Sequence, residues 1–387
     1  MQARRQVAAL SSAGGRERES RILERLRERQ EVAPPRYALP FDRVRGPGAE
    51  VLVVRGDHRN SPERPVVVPL GHTIKGDDNP IVTERPVVVP LGYTLKGDDH
   101  PIRTTPPGAL PRGGGSTATV RVALVDTGLP AGVRGDGWLA DAVAGPADVD
   151  PLDVMPAAGR LDWGAGHGVF TAGVVRQVAP RCELAAYRFT RGDGLGTDVD
   201  AAAMLVRAAE DGARAGVRTI VNASFGTPAA PAVLRAAVEH IHAEYPDVLI
   251  VASAGNTGDT GPLYPAAFDG VIAVGALTAD LRPAPFSTTG PWIDCSAVGV
   301  GVVSTFVPGI SPPEPDPRNP DQHFGPDPWA MWSGTSFSAP QISGAVARCC
   351  HEHPHLTPRA ALGTLLTGRP ALPGYGHVVP LRPGTPT

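Results

Sequence analysis

Aromatic residues make up only 5% of this 387-residue chain. That supply is too thin for a surface on which nucleic-acid bases stack. Neither sign of charge is in excess: the formal net charge is −3 and the sequence pI about 6.4. No polyanionic partner is implied, so nucleic acid is not expected to bind. Long hydrophobic runs are missing as well, and none is long enough to cross a membrane. The start is basic, but the apolar run behind it covers only residues 7–10, too short for the core of a signal peptide. Cysteine is scarce. Cys182, Cys295, Cys349 and Cys350 include one adjacent pair and no metal-ligand spacing. They are expected as reduced thiols in a core, and the chain as cytoplasmic, with secretion by an unrecognised route as the alternative.

Proline is abundant, with 43 residues, but unevenly placed, and its placement marks the segments. Residues 1–35 hold one charged stretch with Ile22, Leu23 and Leu26 on one face, a surface helix supported by Glu/Arg pairs. Residues 36–115 are rich in Pro and Gly and carry a tandem repeat of period 21. Residues 63–83 and 84–104 agree at 17 of 21 positions. Glu-Arg-Pro-Val-Val-Val-Pro-Leu-Gly opens each copy, from Glu63 and from Glu84. Two copies are too few for a solenoid. Prolines flank each Val triplet, so each copy predicts a short edge strand followed by a turn. The paired aspartates of each copy read as solvated turn carboxylates, since calcium asks for six or more oxygens. Residues 106–115 read as a linker.

The pattern changes at Thr117. With 42% hydrophobic residues overall there is ample material for a core. Residues 120–125 form an apolar run that ends in Asp126-Thr127-Gly128, a buried parallel strand with a polar tip. Strands are predicted at 184–189, 217–223, 248–254 and 271–277. Helices are predicted from Gly166-His167-Gly168 onward, at 198–215, at 230–243 and at 336–350. Thr357-Pro358 opens a last helix with an N-cap and a proline at the first helical position. The alternation predicts an α/β domain over 116–370, a mostly parallel sheet with helices on both faces. Eight of the 21 residues in 308–328 are proline, which predicts an irregular loop. Residues 371–387 read as a tail.

Three residues occupy telling places. Asp126 ends a strand, His167 begins one helix, and Ser336, in Ser333-Gly334-Thr335-Ser336-Phe337-Ser338-Ala339-Pro340, begins another. A serine at a helix start is a capping residue or, with a base at hand, a nucleophile. In an open α/β sheet the functional crevice lies at the carboxyl ends of the strands, where distant residues meet. Imidazole titrates near neutral pH and can take the serine proton, and a carboxylate on its other nitrogen fixes the tautomer. Ser253-Ala254-Gly255-Asn256 offers an amide at another strand tip, and the backbone N–H of Ser336 a second donor for developing negative charge. A rival pattern, His351-Glu352-His353-Pro354-His355, matches a zinc-protease motif. Pro354 opposes the helix that motif needs, so the histidines read as the polar close of a helix.

These four motifs, in this order, resemble the signatures of subtilisin-like serine peptidases over roughly residues 118–370. The resemblance implies a three-layer subtilisin-like α/β fold and endopeptidase activity through Asp126, His167 and Ser336, with Asn256 at the oxyanion. It implies an extended polypeptide substrate paired along Ser224, Phe225 and Gly226, faced by residues 192–196 including Gly194, and a specificity pocket walled beside Gly255. No cofactor is implied for the chemistry. Structural calcium occurs in the family, but its ligands do not map here. The family places Thr two residues after the catalytic histidine; here it is Val169, which removes a hydroxyl near the imidazole. The alternative is a peptide-binding module that keeps the cleft without cleaving. Members often carry an inhibitory prosegment; residues 1–115 contain no clear compact prodomain. They are expected to regulate or recruit, toward a partner or toward the peptidase domain itself, with the Val-rich repeat pairing at a sheet edge.

Overall fold

Residues 120–126 read Val-Arg-Val-Ala-Leu-Val-Asp, and their side chains serve two separate cores. Val120, Val122 and Leu124 join one apolar cluster, while Ala123 and Val125 join another. A strand with apolar residues on both faces belongs inside a sheet covered on both sides. The computed structural model describes residues 101–107, 119–153, 159–190, 196–312 and 321–381, with the backbone of three short strands at 41–46, 49–54 and 87–90. The charged stretch at 16–30, the first repeat copy, both aspartate pairs and residues 108–115 lie outside these.

Strands are numbered in chain order. Nine form the central sheet, in the spatial order β18 (Ala371–Leu372), β19 (Gly376–Val378), β13 (Cys295–Val298), β12 (Ile272–Leu277), β11 (Leu249–Ser253), β9 (Arg218–Ala223), β5 (Val120–Asp126), β7 (Glu183–Arg188) and β6 (Val143–Ala144). Every neighbouring pair is parallel except β18 and β19. Helix α1 (His167–Val178), α4 (Thr335–Glu352) and α5 (Pro358–Leu366) pack on one face. Helices α2 (Asp198–Ala215) and α3 (Ala232–Glu244) pack on the other. This is the three-layer arrangement expected. Helix α2 keeps its predicted bounds because both ends are signalled locally. The Thr197 hydroxyl accepts from the Asp200 N–H, and Gly216 closes the helix at φ +66°.

Several expectations are revised. Residues 371–378 belong to the sheet through β19, which pairs with β13, so the tail begins later than 371. The proline-rich loop is tied at its base by β15 (Gly309–Ile310) and β16 (His323–Phe324), and Arg160 binds Asp321 at 2.6 Å. Antiparallel β14 (Val302–Thr305) and β17 (Trp329–Trp332) flank that loop. Upstream of the predicted domain start, β4 (Ile102–Thr104) pairs with β17. Lastly, Val87–Pro90 (β3) is a central strand and not an edge strand. It lies between β8 (Gly196–Thr197) and β10 (Phe225–Gly226), antiparallel to both. Its proline stands at the strand end, where a missing N–H costs least. The six-residue strands β1 (Phe41–Gly46) and β2 (Ala49–Val54) pair antiparallel as a hairpin.

Candidate active site

The tip of β5 and the start of α1 touch. A Cβ on Gly168 would stand 2.2 Å from the Gly128 carbonyl oxygen, and Gly128 itself has φ +99°. Gly168 of Gly-His-Gly thus rests directly on the backbone of Gly128 in Asp-Thr-Gly, which sets Asp126 beside His167, while the far side of Gly128 is closed by the Asp148 carbonyl. Asp126 Oδ1 lies 2.7 Å from His167 Nδ1, both groups buried. The Thr127 N–H also donates to that oxygen at 2.7 Å. The imidazole is wedged edge-on to Trp332, with ring centroids 5.6 Å apart, and against Phe337 at 5.4 Å. Its Nε2 is buried without a hydrogen-bond partner.

Behind this pair sits a second carboxyl that the sequence did not single out. Asp150 is fully buried. Its Oδ2 accepts from the Thr127 hydroxyl at 3.1 Å and the Gly166 N–H at 2.8 Å, and Oδ1 from the Leu152 N–H at 3.3 Å. Thr127 in turn accepts from the Gly168 N–H at 2.9 Å. Asp150 thus ties the loop after β5 to both residues flanking His167. Burial pushes its carboxyl up to about 7, aided by the charge of Asp126 and opposed by the hydrogen bonds from Gly166, Thr127 and Leu152. The hydroxyl that Val169 lacks is supplied in part from another turn. Thr171 donates to the Gly168 carbonyl at 2.8 Å and stands 3.5 Å from Asp126 Oδ2.

Ser336 is the second residue of α4, where backbone N–H groups have no partner within the helix. Its hydroxyl donates to the Ser224 carbonyl at 3.1 Å, and the Ser224 hydroxyl donates back to the Ser336 carbonyl at 2.9 Å. Ser224 accepts from Asn222 Nδ2, and Asn222 Oδ1 accepts from Ser343, both at 2.9 Å. The Ser224 side chain therefore braces α4 against the end of β9. The buried Nε2 of His167 and the hydroxyl of Ser336 are not hydrogen-bonded to one another in this arrangement.

Asn256 is held by the residue just before Ser336. Its Oδ1 accepts from both the N–H and the hydroxyl of Thr335, each at 2.9 Å, and that hydroxyl accepts from the Gly255 N–H at 3.1 Å. This orientation points the amide nitrogen away from Thr335. Gly255 has φ +118°, and a Cβ there would stand 2.6 Å from Thr288 Oγ1. Phe225 and Gly226 pair with Pro90 and Val89, and Gly196 and Thr197 with Val88 and Val87, so two backbone rims face one groove. Gly194 lies outside the described residues. In the sequence Thr335 is marked only by standing directly before Ser336, and nothing there marks Asp150 or Thr171.

The zinc-type motif is not assembled on a helix. Helix α4 ends at Glu352, and His353 is its C-cap. Among the described residues no group of three or more His, Cys, Asp or Glu side chains could hold a metal ion. All four cysteines are free thiols.

The profile of the subtilase family matches residues 118–376. Subtilisin DY of Bacillus licheniformis is 30% identical over 253 residues, 62% of this chain and 80% of the relative. Subtilisin BL of Lederbergia lenta is 31% identical over 248 residues, 61% and 77% respectively. A thermophilic serine proteinase of Bacillus sp. (strain AK1) is 30% identical over 210 residues, 52% of this chain and 44% of that protein. A crystal structure of a cold adapted subtilisin-like serine proteinase superposes with a TM-score of 0.51 at 20% identity, covering 72% of this chain and 94% of the other. At that identity the superposition speaks for the fold alone.

Proposed function

We propose, for a chain that belongs to the subtilase family and is thereby a subtilisin-like serine peptidase, that Ser336, His167 and Asp126 carry out the hydrolysis. Polypeptides are its substrates, and the chemistry of the family needs no cofactor. The Ser336 hydroxyl turns from the Ser224 carbonyl toward His167 Nε2, which takes its proton as the oxygen attacks the peptide carbonyl carbon. His167 then gives the proton to the leaving amine. Water repeats the sequence on the acyl-enzyme and releases the acid. Asp126 holds Nδ1 and stabilises the imidazolium. The Asn256 amide and the Ser336 N–H receive the oxyanion.

The observation that carries this reading is the buried 2.7 Å contact between Asp126 Oδ1 and His167 Nδ1, with Nε2 left unpaired. That pairing leaves Nε2 as the basic nitrogen, and a hydroxyl that must swing into reach is usual before substrate binds. The backbone of 224–226 is suited to pair with an extended substrate by strand addition, with Gly255 beside the pocket for one side chain. Wild-type chain is expected to react with a fluorophosphonate probe and to cleave an unstructured peptide such as casein. Ser336→Ala is expected to do neither. Labelling that survives in Ser336→Ala would overturn the assignment.

A further inference from the structure

The helix that carries His167 begins without a cap of its own. Its N-cap residue is Gly166, at φ +79°, which has no side chain to offer. A Cβ there would stand 2.6 Å from Phe306 Cε2, so none of the usual capping side chains fits. The first N–H groups of a buried helix still need acceptors. Two of them are met from other segments. The Gly168 N–H donates to the Thr127 hydroxyl at 2.9 Å, and the Gly166 N–H to Asp150 Oδ2 at 2.8 Å. Thr127 and Asp150 are themselves joined, the hydroxyl donating to the same Oδ2 at 3.1 Å. The cap of α1 is thus a pair of side chains supplied by two other stretches of chain.

The main chain of Asp150 is fixed to the opposite partner. Its N–H donates to the Leu129 carbonyl at 2.8 Å, and the Leu129 N–H donates to the Asp148 carbonyl at 3.1 Å. Val149 and Leu129 form a parallel bridge between these contacts. Leu129 belongs to the turn that follows Asp126. The remaining oxygen, Oδ1, accepts from the Leu152 N–H at 3.3 Å and so braces a leucine held at φ +62°, in the left-handed region. Asp150 therefore grips the exit of β5 with its backbone and the start of α1 with its side chain. Asp126 stands on the first of these and His167 on the second.

We propose that Asp150 is a positioning residue for the catalytic step: it caps the helix of His167 from the turn of Asp126, and so keeps Asp126 Oδ1 and His167 Nδ1 in register while the imidazole gains and loses a proton. The proposal rests on the reading of Asp126, His167 and Ser336 as the reacting set. Asp150 touches none of the reacting atoms and acts through Thr127 and Gly166. Without its carboxyl, the Gly166 N–H and the Thr127 hydroxyl are left buried with no acceptor. The start of α1 then relaxes to find one and carries His167 with it. A displacement of about 1 Å at a reacting group costs up to about 10²-fold in rate. The rims at 196–197 and 224–226 lie on other strands and keep their shape. The loss therefore falls on kcat and spares KM.

The test uses the full chain as wild type, Asp150→Leu, Asp150→Asn and Thr127→Val. Asparagine keeps a carbonyl oxygen for Gly166 and Thr127 and places its mismatched amide at Leu152. Valine removes only the hydroxyl that links Asp150 to Gly168. Three readouts are taken: the folded fraction from urea denaturation, kcat and KM on fluorescein-labelled casein, and the low-field proton resonance of the bond between His167 Nδ1 and Asp126. Per folded molecule, kcat is expected to fall about 10²-fold in Asp150→Leu and about tenfold in Thr127→Val, with KM within about twofold. Asp150→Asn is expected within about threefold of wild type. The resonance should persist in wild type and Asp150→Asn and be displaced or lost in the other two. Wild-type kcat in folded Asp150→Leu would overturn the proposal. So would a loss matched by the unfolded fraction alone with the resonance unmoved. If Asp150→Leu does not fold, a Thr127→Val chain with wild-type kcat and resonance overturns it instead. If no protein, wild type included, cleaves casein, the resonance decides. Displaced in Asp150→Leu and Thr127→Val but not in Asp150→Asn, it upholds the positioning while the role of Ser336 falls; unmoved throughout, it ends both.

Discussion

Thr335 does its work through Asn256. Its hydroxyl and N–H grip the amide oxygen, and so aim the amide nitrogen. Asn256→Leu removes an oxyanion donor, and kcat is expected to fall by about 10²–10³ with KM little changed. Thr335→Val leaves the N–H contact and loosens the amide, with an expected loss of about tenfold. Kinetics of the double variant separate the roles: added to Asn256→Leu, Thr335→Val should cost almost nothing further. An independent tenfold loss there would show that Thr335 acts by another route.

Asp150 provides a pH test at the same scale. Its carboxyl is raised in the folded chain to about 7 from an ordinary value near 4. The folded state thus favours the protonated form. The resulting stability is fully present below about pH 4 and is lost as pH rises through about 7. Asp150→Asn cannot ionise, so it carries a fixed offset from the mismatched amide and none of this slope. The stability of the variant relative to wild type, read by urea denaturation, is expected to improve steadily between about pH 4 and pH 8. A difference that stays flat across that range would show that Asp150 does not titrate there. Burial is the main cause of the rise and the charge of Asp126 a lesser one, so removing Asp126 should lower the Asp150 carboxyl only in part.

At the scale of elements, the site depends on how closely two of them approach. The start of α1 rests on the turn after β5 with no room for a methyl group between Gly168 and the Gly128 carbonyl. Gly168→Ala forces the two apart. The expected cost is about 1–3 kcal/mol of stability, measured as a lowered urea midpoint. Fluorophosphonate labelling is expected to fall by more than the unfolded fraction explains, because the same shift pulls His167 from Asp126. A fully stable variant with normal labelling would mean that the approach is slack. A comparable brace lies on the far side. Buried Arg134 donates to the carbonyls of Phe306, Pro328 and Asp327, and so pins β14, β17 and the loop base together just upstream of α4. The proline-rich segment therefore enters and leaves through a fixed frame.

For the whole molecule, the two cores on either side of the sheet decide which groups meet solvent. Cys182, Cys295 and Cys350 are buried, whereas Cys349 is half-buried. Burial pushes the Cys182 thiol up to about 12 and that of Cys350 up to about 11, and raises Cys295 as well. The thiolate is the reactive form, so these side chains are both hidden and protonated at neutral pH. Titration of the native chain with a chromogenic disulfide at pH 8 is expected to modify Cys349 alone. Guanidinium should then release the other three. Rapid reaction of two or more thiols in the native state would contradict the packing on both faces of the sheet.

Much of this was legible in the chain. The two-residue alternation of β5, the capped run of α2 and the glycines around Asp126 and His167 are local signals, written in neighbouring residues, and they determined the layer order and the strand tips. Asp126, His167, Asn256 and Ser336 stood out because each sits at such a tip or helix start. Other features have no local signal. Asp150 looks like any aspartate in a loop until Gly166 and Thr127 close over it. The hydroxyl of Thr171 replaces one missing at Val169 only because a helical turn brings it back beside Asp126. β4, β17 and β19 are short, and a short strand exists by virtue of the partner it meets. The Val-rich repeat shows the division most sharply. Its sequence determined that an extended strand could form and that it could form twice. Only the tertiary structure decided that the strand lies between two rims beside Ser336, because pairing on both edges depends on backbone that the chain supplies more than a hundred residues later.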